Sequence, residues 1–204
     1  MSMTPPPPER DAVLGSYADA LTAFRGFGLT AADWDVLTPC GEWNLLDLSG
    51  HLLAIARYYH RLLDAAEAGH HLEGLPRGGQ LAAMNARDLR DLVEPTGDER
   101  MEFFLELASA HLQRLQRVDW KVILGDWSGL GPLTVGQHSG VAIGEWHVHA
   151  WDMARSFGAE HRPSDPVVVA EGNRVVRNVS YQGDPWQALL RAYGRDPNWT
   201  AVPR

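Results

Sequence analysis

Residues 44–63 read Asn44-Leu45-Leu46-Asp47-Leu48-Ser49-Gly50-His51-Leu52-Leu53-Ala54-Ile55-Ala56-Arg57-Tyr58-Tyr59-His60-Arg61-Leu62-Leu63. Leu45, Leu48, Leu52, Ile55, Tyr59, Leu62 and Leu63 recur at steps of three and four, the period of one face of a helix. Asn44 is a good N-cap type, and Asp47 three residues on comes close to a capping box. Gly69 is a stop signal. The spacing predicts a long helix from Leu45 to about Ala68, with His51 beside its apolar stripe on the turn after the start.

The same period recurs on both sides of this stretch. Leu14, Tyr17, Ala18, Leu21 and Phe24 predict a helix over 9–26, ended by Gly26 and Gly28. A helix over 79–93 is expected to end at Pro95. Another is expected over 99–117, capped by Asp98, with Phe103, Leu107, Ala110, Leu112 and Leu115 as its stripe. Residues 135–157 read as a fourth long helix, closed by Gly158. Shorter helices fit 167–179 and the stretch from Asp184-Pro185-Trp186 to Tyr193, where proline suits a first turn. Residues 118–133, with Trp120, Trp127 and several glycines, read as an irregular loop or hairpin, placed where it can close over a site. Residues 1–8, with Pro5-Pro6-Pro7-Pro8, read as a flexible proline-rich arm. Strand alternation is scarce and no internal repeat is seen. The expectation is an all-α chain, a four-helix bundle with small additional helices, forming a single domain over 9–204. Facing helices of such a bundle build sites in its interior.

Composition narrows the function. The chain has 204 residues, 45% hydrophobic and 22% charged, a globular balance. A net charge of −8 argues against nucleic acid or an anionic membrane as partner. Cys40 is the single cysteine, so a disulfide framework, a Cys-x-x-Cys pair and a multi-cysteine zinc site are excluded. No apolar run approaches the ~20 residues of a membrane helix, and no export signal is read, which sets the expected compartment as the cytoplasm. On that basis the triplets at Asn178 and Asn198 are read as chance.

The chemistry concentrates in Gly144-Glu145-Trp146-His147-Val148-His149-Ala150-Trp151-Asp152. Helical positions four apart share a face, so Glu145 and His149 point the same way, Asp152 lies a turn further, and His147 points elsewhere. A carboxylate and an imidazole one turn apart are ready metal ligands, although the same spacing also serves an ordinary hydrogen-bonded pair. A third donor must come from another helix, and His51 is the best placed by its position near a stripe. Such a set leaves a coordination position open, the catalytic style for zinc, and it also suits iron or nickel. Asp152 can then accept from the second nitrogen of a ligand histidine. His70 and His71 read as a solvated loop, and His60, His111, His138 and His161 as structural. Trp146 and Trp151 read as core or as walls of the site. Cys40 precedes a helix start, where a thiol can be acidified, but no histidine partner follows from spacing, and a structural role is favoured.

Two segments also carry a likeness. Thr38-Pro39-Cys40-Gly41-Glu42-Trp43-Asn44-Leu45-Leu46-Asp47-Leu48-Ser49-Gly50-His51-Leu52 and Glu145-Trp146-His147-Val148-His149-Ala150-Trp151-Asp152-Met153-Ala154 resemble the two signatures of the mycothiol-dependent maleylpyruvate isomerase family, within the DinB-like metalloenzymes. The tail from Trp186 to Trp199 resembles that of one branch. The resemblance implies a DinB-like four-helix bundle and a divalent metal, usually zinc (with Ni2+ or Fe2+ as alternatives), on His51, Glu145 and His149. It implies mycothiol or a similar low-molecular-weight thiol as co-substrate. The isomerase proper carries a further C-terminal domain, and this chain reads as a short branch lacking it.

The expected function is therefore a metal-dependent thiol transferase or isomerase. A thiol of pKa near ~8.5 is activated as a metal-bound thiolate and attacks a small electrophile. If the adduct stays, the outcome is S-transfer; if it rotates and expels the thiol, the outcome is cis–trans isomerisation. The partners expected are the thiol and the electrophile, with a homodimer allowed. Two other readings stay open: a hydrolase that activates water on the same metal, and a non-catalytic DinB-like binding or sensor protein.

Overall fold

A computed structural model of the chain describes residues 9–41, 43–70, 72, 79–126 and 131–200; the proline-rich arm, His71 and Trp127 lie outside them. The described residues are mostly helical, with helices α1 (Arg10–Gly26), α2 (Leu45–Glu67), α3 (Gly79–Arg90), α4 (Gly97–Leu115), α5 (Val135–Ser156), α6 (Pro166–Gly172) and α7 (Pro185–Ala192), and one pair of strands, β1 (Ile123–Asp126) and β2 (Pro132–Thr134). This is the all-α class with small additional helices that the sequence predicts. No described helix is long and apolar enough to cross a membrane. The chain divides into two compact units: one of Met1–Gly28, Val36–Asn44 and Gly136–Arg204, the other of Leu29–Asp35 and Leu45–Val135.

In the second unit α2 packs on α4 and α3. Its buried face includes Leu45, Leu48, Leu52, Tyr59, Leu62 and Leu63, as the stripe predicts, whereas Ile55 of that stripe is only half-buried and Leu53, outside it, is buried. The Leu46 amide, one of the donors a helix start leaves without an internal partner, donates to the Trp34 carbonyl at 3.0 Å. Gly69, at a φ of 74°, reverses the chain after the helix. The start of α4 differs from expectation. Thr96, not Asp98, is the cap, in a full capping box with Glu99. The buried positions are Met101, Phe104, Ala108, His111 and Leu115, so the stripe is displaced by one residue from Phe103, Leu107 and Ala110. Phe103 is 43% exposed. Both sets have helical spacing, and only packing chooses between adjacent phenylalanines. His60 meets the Leu107 carbonyl at 2.9 Å, a structural role. The irregular hairpin of 118–133 is the β1–β2 pair, antiparallel with a register shift between Ile123 and Gly125. The Trp120 indole donates to the Leu115 carbonyl at 2.8 Å and so ties this segment to the end of α4.

In the first unit α1 buries Val13, Tyr17, Ala20, Leu21 and Phe24. Asp165 and Asp184 cap α6 and α7, each followed by proline in the first turn. Helix α6 stops at Gly172, short of the 167–179 expected. Helix α5 is buried at every position from His138 to Ala154, the mark of a helix enclosed on all sides. Trp146 and Trp151 are core residues, and Tyr17 meets Trp146 edge-on at 5.9 Å between ring centres. Close approach on one side of α5 depends on glycine. A Cβ on Gly140 would lie 2.8 Å from the Gly172 Cα, and one on Gly144 would lie 2.2 Å from the Asn173 side chain. That contact brings the segment after α6 against the turn of α5 that carries Glu145.

Candidate metal centre

Glu145 and His149 fall on one face of α5, as their spacing predicts. Glu145 Oε2 is 3.5 Å from His149 Nε2, and the two residues are 7% and 3% exposed. The other ring nitrogen, Nδ1, is 2.9 Å from Asp152 Oδ2. With Nδ1–H donating to the Asp152 carboxylate, Nε2 is the ring nitrogen that faces Glu145. Burial works against charge on the imidazole, but the bonds to Asp152 and Glu145 outweigh it and hold the His149 pKa above its ordinary value. The Asp152 carboxyl moves the opposite way. Burial, the largest single influence, pushes it up, and the hydrogen bonds and charges of Arg195 and His149 together bring it below the usual carboxylate range.

Two arginines that no spacing argument selects complete this region. Arg195 grips Asp152 with two bonds, Nε to Oδ1 at 2.8 Å and a terminal nitrogen to Oδ2 at 2.7 Å. It also donates to the Cys40 sulfur at 2.9 Å and to the Tyr193 carbonyl at 2.7 Å. Arg177 donates to Glu145 Oε1 and lies over the Tyr193 ring, 4.3 Å from its centre. The Tyr193 hydroxyl donates to Asn173 Oδ1 at 2.9 Å, and the Asn173 amide donates to the carbonyls of Gly140 and Val169. Each acidic group on this face of α5 therefore has a cation from the segment that follows, and buried charges need such partners.

Cys40 is presented by a tight turn. Leu37 and Asn44 bridge, Thr38 accepts the Cys40 amide on its hydroxyl at 3.1 Å, and Gly41 takes a φ of 71°. Burial pushes the Cys40 thiol up to about 12 despite the nearby Arg195.

His147 points away from the pair, as the helical turn requires. Its Nε2 meets the Ser16 carbonyl and hydroxyl, each at 3.0 Å, and its Nδ1 meets His161 Nε2 at 3.0 Å. His161 thus has a partner that the sequence reading did not supply. Burial lowers the His147 pKa to about 4, and His161 is lowered by the same cause. Two neutral rings satisfy this geometry: His147 donates to Ser16 and accepts from His161.

His51 lies in the second unit, on the buried face of α2 and 9% exposed. Of the three expected ligands, Glu145 and His149 are thus adjacent on one helix, and His51 lies on another.

Helical content and small added helices define an all-α protein. A model of the mycothiol maleylpyruvate isomerase N-terminal domain matches residues 14–154, and the chain belongs to that family. No curated protein and no solved structure matches it. Arg177 and Arg195 lie beyond the matched stretch.

Proposed function

We propose that His51, Glu145 and His149 hold a divalent metal, zinc in the first instance, and that the protein uses it with a low-molecular-weight thiol such as mycothiol. The observation that carries this reading is the buried Glu145–His149 pair, with the second His149 nitrogen held by Asp152. The donor types fit a catalytic ion: two imidazoles and one carboxylate, none more than 9% exposed. Membership in a family named for a mycothiol-dependent isomerase supports the thiol. When bound, the ion would supply a positive charge that stabilises the thiolate over the thiol near neutral pH.

The chain's own residues prepare that site. Asp152 fixes the His149 tautomer and leaves Nε2 as the donor atom. Arg177 gives the buried Glu145 carboxylate an ion-pair partner and orients it. Burial of α5 keeps bulk water from competing for an electrophile. The thiol sulfur forms a bond to an electrophilic carbon. Retention of that bond with proton uptake gives a conjugate. Rotation followed by expulsion of the thiol gives cis–trans isomerisation. Within this reading the protein is a cytoplasmic enzyme acting on small molecules.

Elemental analysis of the purified protein tests the ion, with one bound metal per chain expected. Turnover that requires added mycothiol supports the thiol chemistry. Equal turnover without any thiol replaces it with hydrolysis by activated water. A protein that carries no metal and is indifferent to chelator is a binding module instead.

A further inference from the structure

His149 has two faces. Nε2 looks toward Glu145, and Nδ1 looks toward Asp152. On the second side stands another group of metal-donor types. Cys40 Sγ, a His149 ring nitrogen and an Asp152 oxygen all lie within 4.8 Å of one another. Thiolate, imidazole and carboxylate together suit zinc or cadmium, and donor atoms around a tetrahedral ion with bonds of ~2.0–2.3 Å would need only a small closure from this arrangement. That space already holds a cation. Arg195 bonds both Asp152 oxygens and the Cys40 sulfur, and it is 10% exposed on its side chain.

We propose that Arg195 is a built-in cation that occupies a second metal-donor set, Cys40–His149–Asp152, and thereby confines a metal to the Glu145 side of His149. This rests on the proposed metal site. Its physical basis is direct. A dication between Cys40 and Asp152 would meet a guanidinium at hydrogen-bond distance, and like charges that close in a buried region repel strongly. The guanidinium also spends the lone pairs that a metal would need. Arg195 determines which side of one histidine is used, and it keeps Cys40 out of the coordination.

The single cysteine makes the test specific, because any thiolate-to-metal absorbance must come from Cys40. The probe is Cd2+, titrated into the metal-free full chain. In the parent protein the expected result is binding without cadmium–thiolate absorbance. In Arg195→Gln the expected result is a gain of that absorbance, saturating at a single equivalent, and its loss in the Arg195→Gln/Cys40→Ser double variant. Thiolate absorbance in the parent overturns the proposal, as does an Arg195→Gln protein that binds cadmium with none. A second measurement needs no variant: iodoacetamide should alkylate Cys40 of the parent at the same rate with and without bound Cd2+, whereas protection by the metal overturns the proposal. The supporting reading is checked separately with His149→Ala. If that variant keeps the parent's full metal content, the metal site itself is wrong. If it loses metal while Arg195→Gln never gains thiolate absorbance, only the role of Arg195 is wrong.

Discussion

His147 and His149 stand two residues apart on α5, both nearly inaccessible to solvent. The helix rotates about 200° between them, so they meet different neighbours. His149 sits between two carboxylates and is held toward its charged form. His147 sits between a backbone carbonyl and a second histidine and is held neutral, with its pKa lowered to about 4. Burial opposes charge on both rings. What separates them is the partner at each nitrogen. One environment is lined by carboxylates, and the other locks α1 and the segment after α5 onto the helix through neutral hydrogen bonds.

Substitutions can break this contrast, and the largest effect is expected at His149. His149→Ala should remove bound metal and with it the thiol-dependent activity, while the apo fold survives; metal content by elemental analysis decides. Asp152→Asn keeps the shape of the support but changes its charge and hydrogen bonding. Its expected cost is about 10–100-fold in metal affinity, read by competition with a chromophoric chelator. His147→Ala should do the reverse. Metal content stays at the parent level, and stability falls by about 1–3 kcal/mol because the Ser16 carbonyl and His161 lose their shared partner; urea unfolding of the metal-free protein measures it. A loss of metal in that variant with unchanged stability would erase the distinction between the two histidines.

The smallest effect is a slope. A histidine whose folded pKa is depressed takes up a proton more readily when unfolded, so it lowers stability as pH falls. For His147 the window runs from about 6.5 down to about 4, and His138, lowered by burial to about 3, extends it. His149 has the opposite sign, because a raised folded pKa favours the folded state at low pH and loses that contribution as pH rises. The metal-free protein should therefore lose stability on acidification below about 6.5, and His147→Asn should flatten the upper part of that fall. A parent protein whose melting temperature does not change across this range would show that the neutral pair carries no weight.

The adjacent phenylalanines of α4 show where reading from sequence stops. Phe103 and Phe104 each begin a stripe at helical spacing, and the sequence alone offers no reason to prefer one. The structure buries Phe104 with Ala108 and His111 and leaves Phe103 at the surface. In α2 the choice was more legible, because Leu45, Leu48, Leu52, Tyr59, Leu62 and Leu63 keep to one face, although packing buries Leu53 and leaves Ile55 half-buried.

The same division runs through the candidate site. Glu145, His149 and Asp152 could be grouped from sequence because they are neighbours within two turns of one helix, where the backbone period alone sets which side chains meet. The helical class, the proline-started last helix and the direction of His147 followed from equally local rules. Arg177 and Arg195 are 32 and 43 residues from the acids they hold. Nothing in their local sequence distinguishes them from the chain's other arginines. Their placement depends on the close passage of Gly140 against Gly172 and Gly144 against Asn173, and on the turn that presents Cys40. Local periodicity fixes what one helix displays. Which charge answers it across a buried gap is decided only when distant segments pack, since that pairing is selected by desolvation and shape and leaves no trace in spacing.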